Sequence, residues 1–219
     1  MKKITIITVL FLITARVLAQ DCSKFIFMKK GRTMEMTTYN ASGKVMHKVV
    51  EVVDNVTTSG AVTTSSTTAQ NFGQSGAPSS KVNVTYKCDN GTLLIDASTI
   101  MAQQGGNFKF SSAILPYPSS LTVGEHFPNT SMTMTMTMGS KTITSKVDMT
   151  DRKVVDKETL TTPGGTWECY KMTYSITSTT EGIAMAPYTM LVTEWYVPGY
   201  AIVQFQMGAA ITKLTAVSD

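Results

Sequence analysis

Residues 81–88, Lys-Val-Asn-Val-Thr-Tyr-Lys-Cys, alternate strictly between polar and apolar side chains. In an extended chain the apolar side chains, from Val82 to Cys88, fall on one face and the polar ones on the other. This alternation is typical of a half-buried β-strand. The turn Asp89-Asn90-Gly91 follows, and residues 92–97 form a returning apolar run. The stretch therefore predicts an antiparallel hairpin.

The rest of the chain repeats this pattern on both sides of the hairpin. Short runs rich in Thr, Val and Ser are separated by turns such as Asn40-Ala41-Ser42-Gly43 and Pro163-Gly164-Gly165. About eleven strands are predicted, and no segment keeps a helical period over several turns. We therefore predict an all-β fold, an antiparallel meander of about eleven strands curled into a half-barrel or barrel, with a β-sandwich as the alternative.

Several boundaries follow from the turn residues. One strand is expected to end at Asp54-Asn55, and a loop is expected over residues 71–80. Separate strands are expected over residues 141–150 and 152–161. Residues 101–130, which contain two adjacent glycines and three prolines, are expected to form a long loop or a short helix followed by a loop.

The composition agrees with a strand-rich protein. The chain has 219 residues, of which 42% are hydrophobic and only 16% are charged, against about 25% charged in an average domain. Thr and Ser supply the polarity, and Thr is a residue that strands favour. The formal charge of +4 includes Lys2, Lys3 and Arg16, and the rest of the chain has 16 of the 19 basic residues against 15 acidic ones. Such a balance predicts no nucleic-acid partner.

The N-terminal segment has the three parts of a signal peptide. A basic start at residues 1–3 precedes an apolar run over residues 4–12, and Val17-Leu18-Ala19 offers a cleavage site. We predict a signal peptide over residues 1–19 and a single all-β domain over residues 20–219. The mature protein is expected in the periplasm, at the outer membrane or outside the cell.

Two membrane attachments are disfavoured. Residues 4–19 are shorter than a span of about 20 residues, and Arg16 interrupts them. Lipid attachment at Cys22 needs a small residue directly before the cysteine, and Asp21 occupies that position. No later apolar run reaches spanning length, so the mature chain is predicted to have no transmembrane segment.

Residues 132–138 alternate methionine with threonine, which places all the methionines on one face of a strand. A core strand is the simplest interpretation, because methionine fills irregular gaps. The second interpretation is an adaptable lining for a hydrophobic ligand. The third is a Cu(I) site with Met34 and Met36, since thioethers bind soft metals. The candidate lining residues are Met132, Met134, Met136 and Met138.

The three cysteines allow one disulfide and one free thiol in an exported protein. Cys22 precedes the first predicted strand and Cys88 closes the fourth, so both fall at the same end of a meander. Cys169 shares its face with Trp167 and Lys171, which indicates the outer side of the sheet. The pairing Cys22–Cys88 is therefore favoured, with Cys169 free.

Catalytic motifs are missing from the sequence. His47 and His126 are the only histidines, and neither belongs to a metal-binding motif. The sequence also contains no Gly-x-Ser-x-Gly elbow and no phosphate-binding glycine loop. His47 is expected to be partly buried in a strand, and His126 is expected in a loop. No catalytic residue, metal or cofactor is predicted. Solvated positions are expected for Glu51, Asp96, Asp148, Asp151, Asp156, Glu158 and Glu194.

Several segments together carry a family resemblance, the strongest being the turn Thr162-Pro163-Gly164-Gly165 and the strand with Trp167, Cys169 and Tyr170 after it. The other segments cover residues 39–45, 86–89, 94–96, 151–154 and 194–199. In these segments the chain resembles the TapB-like exported β-rich proteins of Bacteroidetes, a domain of unknown function. The resemblance implies an envelope location and an all-β fold, and it implies no reaction.

Three hypotheses for function result. The favoured one is an exported envelope protein without enzymatic activity that binds a hydrophobic or lipid-like small molecule. The alternative is a structural or surface-interaction protein with a filled core. The third is a copper-binding protein that uses methionine side chains. The sequence makes no prediction of the oligomeric state.

Overall fold

The computed structural model describes residues 21–102, 108–138, 141–181 and 186–219. Two short 3-10 helices (Cys22–Lys24 and Ile26–Met28) precede the sheet, and one short helix, α1 (Ala97–Ala102), interrupts it. The first seven strands are β1 (Thr33–Tyr39), β2 (Val45–Ser59), β3 (Val62–Phe72), β4 (Pro78–Asp89), β5 (Thr92–Asp96), β6 (Phe108–Phe110) and β7 (Ile114–Pro118). The remaining strands are β8 (Thr130–Met138), β9 (Lys141–Thr162), β10 (Gly165–Glu181), β11 (Tyr188–Val197), β12 (Ala201–Met207) and β13 (Ala210–Ser218).

All thirteen strands belong to one antiparallel sheet that is curled into a half-barrel. Their order is β6-β8-β9-β10-β11-β12-β13-β1-β2-β3-β4-β5-β7. The last strand, β13, pairs with the first, β1, so both ends of the domain are fixed in the middle of the sheet. The predicted all-β half-barrel is confirmed, and the chain does not form the alternative β-sandwich. Among the described residues, no helix is both long enough and apolar enough to span a membrane.

Two predicted strand boundaries are wrong, and both correspond to bulges. β2 continues through Asp54-Asn55 with a shift of register, and the chain turns instead at Gly60, where φ is +60°. β9 is a single strand in which Asp151 has a φ of 56°. A bulge inserts an extra residue without ending the pairing, and aspartate tolerates the left-handed conformation that this bulge requires. Both sites therefore have the composition of a turn although the strand continues.

Residues 101–130 are also more regular than expected, because they contain β6, β7 and the start of β8. β6 pairs with β8 and β7 pairs with β5, so each forms one edge of the sheet. The expected loop over residues 71–80 is shorter, since β3 ends at Phe72 and β4 begins at Pro78. The unpredicted strands β6 and β7 account for the difference between the thirteen strands observed and the roughly eleven predicted from the alternation.

The buried residues form two hydrophobic clusters. The larger cluster includes Cys22, Phe25 and Cys88, and the Cys22 and Cys88 sulfurs are joined in a disulfide, which is the favoured pairing. The smaller cluster includes Cys169, which has a free thiol and is fully buried. Cys169 was expected on the outer side of the sheet. Alternation along β10 places it on the face opposite to Met172, which packs in the larger cluster, and the smaller cluster buries it there.

Candidate functional site

An open groove with a volume of about 660 Å³ lies at one end of the half-barrel. The β1–β2 turn, the start of β11 and the β12–β13 turn meet there, and most of the lining surface is apolar. We call it the methionine groove. Its lining residues are Asn40, Ala41, Ser42, Met46, Tyr188, Met190, Met207, Gly208, Ala209 and Ala210.

The pairing register shows which face of the sheet carries this groove. Met190 opposes Ile176, Ile176 opposes Met149, and Met149 opposes Thr130. Directly opposed residues share a face, and so do residues two apart on one strand. Thr130 therefore shares its face with Met132. The methionine groove opens on the same face of the sheet as the alternating methionines of β8.

The predicted lining residues lie elsewhere on that face. Met132 is 4% exposed and packs in the larger hydrophobic cluster. Met134 and Met136 are half-buried and oppose Phe110 and Phe108 of β6. The side chain of Met138 lies outside the described residues. None of the other three methionines of β8 lines either groove found in the described part of the chain, so their role toward a ligand stays a prediction.

The methionines that do line the groove have no pattern in the sequence. Met46, Met190 and Met207 come from three different strands, and each is the one methionine of its own strand. The sheet brings them together only because β11, β12, β13, β1 and β2 are consecutive neighbours. The alternation of side chains does not predict that β13 pairs with β1. Sequence reasoning therefore had no signal for this groove.

A buried polar cluster lies in the interior of the half-barrel. Glu194 is 4% exposed and Arg152 is 1% exposed. The Tyr174 hydroxyl donates a hydrogen bond to Glu194 Oε1 at 2.8 Å, and the Tyr117 hydroxyl lies within 3.1 Å of both carboxylate oxygens. Arg152 Nη2 lies 4.0 Å from Glu194 Oε2, and the guanidinium stands between the rings of Tyr117 and Phe127. We call these residues the Glu194 cluster.

This cluster joins distant parts of the sheet. Tyr117 belongs to β7, at one edge, whereas the other polar members belong to β9, β10 and β11, near the opposite edge. Arg152 Nη1 also donates to the Pro116 carbonyl at 2.8 Å, and the Tyr196 hydroxyl donates to the Pro118 carbonyl at 2.8 Å. Side chains thus bind carbonyl groups that an edge strand would otherwise leave unpaired. The arrangement holds the curl of the sheet.

The tyrosines of the cluster are fixed as hydrogen-bond donors. Burial raises the pKa of Tyr117 and the pKa of Tyr174 well above the ordinary tyrosine value, and the neighbouring Glu194 charge raises both further. Each phenol therefore keeps its proton near neutral pH. The solvated position expected for Glu194 is wrong, because hydrogen bonds and an arginine replace the water that a carboxylate needs.

Glu51 is a second buried carboxyl group that was expected to be solvated, and that expectation is wrong as well. It is 7% exposed, and it accepts hydrogen bonds from the Thr67 and Tyr86 hydroxyls. The Tyr86 ring stacks on Phe27 with the ring centroids 3.8 Å apart. Among the described residues no cation pairs with Glu51, and burial raises its pKa above the usual glutamate value. Desolvation disfavours the charged form of this carboxyl group more than the two hydroxyl hydrogen bonds favour it.

The nucleophilic and basic side chains are dispersed. His47 is half-buried in β2, and His126 is exposed in the loop after β7. Burial raises the pKa of the Cys169 thiol to about 12, with the Glu158 and Glu168 carboxylates contributing. The part of the chain that the structure describes contains no group of three or more His, Cys, Asp or Glu side chains able to hold a metal ion.

Fold and groove define a class of protein, an open half-barrel of thirteen antiparallel strands with an apolar groove at one end. The chain belongs to the DUF3108-like family, whose sequence model matches residues 29–206. The narrower resemblance to TapB-like proteins stays a prediction. No curated protein matches the sequence.

Two solved structures share this fold. A protein of Parabacteroides distasonis, described as a candidate lipoprotein, is 22% identical, with a TM-score of 0.76 over 91% of this chain and 100% of the other. A protein of Bacteroides fragilis, described as a candidate exported protein with a YmcC-like fold, is 18% identical, with a TM-score of 0.73 over 89% of this chain and 99% of the other. At this level of identity the similarity shows the fold alone.

Proposed function

We propose that this chain is an exported protein of the cell envelope that binds a hydrophobic or lipid-like small molecule in the methionine groove and catalyses no reaction. The observation that carries the proposal is the groove itself. Its volume of about 660 Å³ lies within the range of about 300–1,000 Å³ that is usual for small-molecule sites.

The exposure of large apolar side chains supports a hydrophobic ligand. Met46 is 47% exposed and Tyr188 is 60% exposed, and both line the groove. Covering such side chains with an apolar molecule removes their surface from water, which is favourable. Methionine is flexible and polarisable, so a methionine-lined groove can repack around chains of different shape.

Envelope location is supported by two kinds of observation. Residues 1–19 have the composition of a signal peptide. The two solved structures with this fold are described as a candidate lipoprotein and a candidate exported protein. We infer export through a cleaved signal peptide to the periplasm, the outer membrane or the cell exterior.

The placement of ionisable groups supports binding without catalysis. Glu194 and Glu51 are buried and already hydrogen-bonded to neighbouring hydroxyls. A general acid or base must reach its substrate within hydrogen-bond distance, and these carboxyl groups face the core. The high pKa of Cys169 keeps its thiol protonated, which is unfavourable for a nucleophile.

One observation favours the second candidate, a structural or surface-interaction protein. Side chains from the N-terminal segment before β1, including Phe25 and Met28, pack in the larger hydrophobic cluster, so much of the interior is filled. The copper hypothesis has less support. Met34 packs in the smaller cluster and Met132 packs in the larger, so these two thioethers do not contribute to one site.

A fluorescent fatty acid, 11-(dansylamino)undecanoic acid, provides the test of this proposal. The mature protein should show saturable binding, and Met190→Gln combined with Met46→Gln should weaken it by about tenfold, which corresponds to ~1.4 kcal/mol. Leu191→Gln is the matched control, because Leu191 is 60% exposed and alternation places it on the opposite face from Met190. Equal affinities for both variants, or no saturable binding, would contradict the proposal.

A further inference from the structure

A second groove, with a volume of about 420 Å³, lies on the other face of the sheet. Thr38 opposes Thr212, and Thr212 opposes Phe205, which lies two residues before Met207. Thr38 therefore shares its face with the methionine groove, and its neighbour Tyr39 lies on the opposite face. We call this second site the aromatic groove. Its main lining side chains are Glu35, Thr37, Tyr39, Lys48, Phe72 and Thr215.

The charged groups of the aromatic groove neutralise each other. Lys48 Nζ lies 3.0 Å from Glu35 Oε2, and the Thr215 hydroxyl donates to Glu35 Oε1 at 2.8 Å. The side chains of Lys48 and Glu35 are 36% and 27% exposed, so both still reach solvent. A free anion would meet the carboxylate, and a free cation would meet the ammonium group. The groove thus has no net charge to attract an ion, although it keeps strong hydrogen-bonding groups.

Two aromatic rings complete the lining. Phe72, at the end of β3, and Tyr39, at the end of β1, are both half-buried. Lys48 Nζ lies 5.1 Å from the centroid of the Phe72 ring, so apolar and charged surfaces are adjacent. The Tyr39 hydroxyl makes no hydrogen bond to any other residue that the structure describes, which leaves its donor and acceptor capacity open toward the groove.

This combination matches one class of ligand. A sugar ring has an apolar C–H face that packs on an aromatic ring, and it has a rim of hydroxyls that both donate and accept hydrogen bonds. A purely apolar ligand would remove water from Glu35 and Lys48 without replacing the lost hydrogen bonds, which is unfavourable. We propose that the aromatic groove binds a neutral saccharide. The proposal concerns a different face of the sheet and does not rest on the methionine groove.

Saturation-transfer NMR on the mature chain tests the proposal with four probes: maltohexaose, laminarihexaose, mannohexaose and chitohexaose. Inorganic phosphate, followed by broadening of its 31P line, is the ionic comparison. At least one saccharide should bind saturably, with transfer strongest to its C–H protons, and phosphate should not bind. Tyr39→Ala and Phe72→Ala should each weaken binding by about tenfold, since each removes one ring contact.

The controls separate a binding role from a structural one. Tyr188→Ala, in the methionine groove, should leave saccharide affinity unchanged. Phe72→Leu keeps an apolar side chain at that position and should weaken binding even if Phe72→Ala fails to fold. Absence of binding by every saccharide, or affinity that persists in both Tyr39→Ala and Phe72→Leu, would overturn the proposal. Competition between the saccharide and the dansyl fatty acid would also overturn it, since the two sites lie on opposite faces.

Discussion

The Tyr117 hydroxyl donates a hydrogen bond to the carboxylate of Glu194, with the phenol oxygen 3.1 Å from Oε1 and 3.0 Å from Oε2. The two residues are 77 positions apart and belong to β7 and β11. Because β7 is an edge strand and β11 lies in the other half of the sheet, this contact spans the concave interior. Buried polar contacts therefore stabilise the curvature of the half-barrel together with hydrophobic packing.

Removing the Glu194 carboxylate should strongly destabilise the fold. Glu194→Ala leaves the Arg152 guanidinium buried without its only acidic partner among the described residues. Breaking such a pair lowers the free energy of unfolding by about 3–5 kcal/mol. Tyr117→Phe, which removes one donor, should lower it by about 1–3 kcal/mol. Urea unfolding measures both changes, and Glu168→Ala, at an exposed position, is the control, with a change of about 0.5 kcal/mol or less.

Glu51 should make the protein less stable as the pH rises. Its pKa is raised in the folded state above the ordinary value of 4.5, so the folded chain retains a proton that the unfolded chain releases. The stabilisation is fully present below the unfolded pKa and is lost as the pH rises through the folded pKa. Glu51→Gln should remove this slope from urea unfolding curves measured between pH 5 and pH 8. Identical slopes in the two proteins would refute the assignment.

The first methionine of β8 should tolerate no charge. Met132 is 4% exposed, so Met132→Asp buries a carboxylate that has no cationic partner. The free energy of unfolding should fall by several kcal/mol, against about 0.5 kcal/mol for a surface change. Thr133→Asp, one residue further on and exposed, is the matched control. Equal melting temperatures for the two variants would show that the methionine face of β8 is not directed into the core.

The cysteines should differ in reactivity. Non-reducing peptide mapping should recover a peptide that joins Cys22 to Cys88, while Cys169 should remain free. Burial and a pKa of about 12 should protect the Cys169 thiol from iodoacetamide until the chain unfolds. A cross-linked peptide that contains Cys169, or rapid alkylation of the native protein, would contradict this assignment.

The sequence predicts strand character wherever one face is buried along a whole strand. In β4, Val84, Tyr86 and Cys88 are buried while Lys87 is exposed, as the alternation of residues 81–88 indicates. Strand ends are less predictable, because the physical signals of a turn and of a bulge coincide. Asp54-Asn55 and Asp151 have the composition of turns, yet the pairing continues through both positions.

The candidate sites were not predictable from local pattern, because they depend on contacts between distant strands. Alternation places Glu194 on the same face as Val192 and Tyr196, but it does not identify the partners of Glu194 and Arg152, which come from other strands. The same is true of Met46, Met190 and Met207, which meet only through the strand order. The alternating methionines of β8 do indicate the correct face of the sheet, although they do not indicate the groove.

Native mass spectrometry of the mature protein, purified from the envelope of its own cells, shows whether the chain carries a hydrophobic ligand. We expect a species heavier than the polypeptide by the mass of a hydrophobic molecule, which is extractable into organic solvent. That species should be much less abundant in the Met46→Gln, Met190→Gln variant than in Leu191→Gln. A single mass equal to the polypeptide alone, in a protein that also fails to bind the dansyl fatty acid, would contradict the claim and favour a structural protein with a filled core.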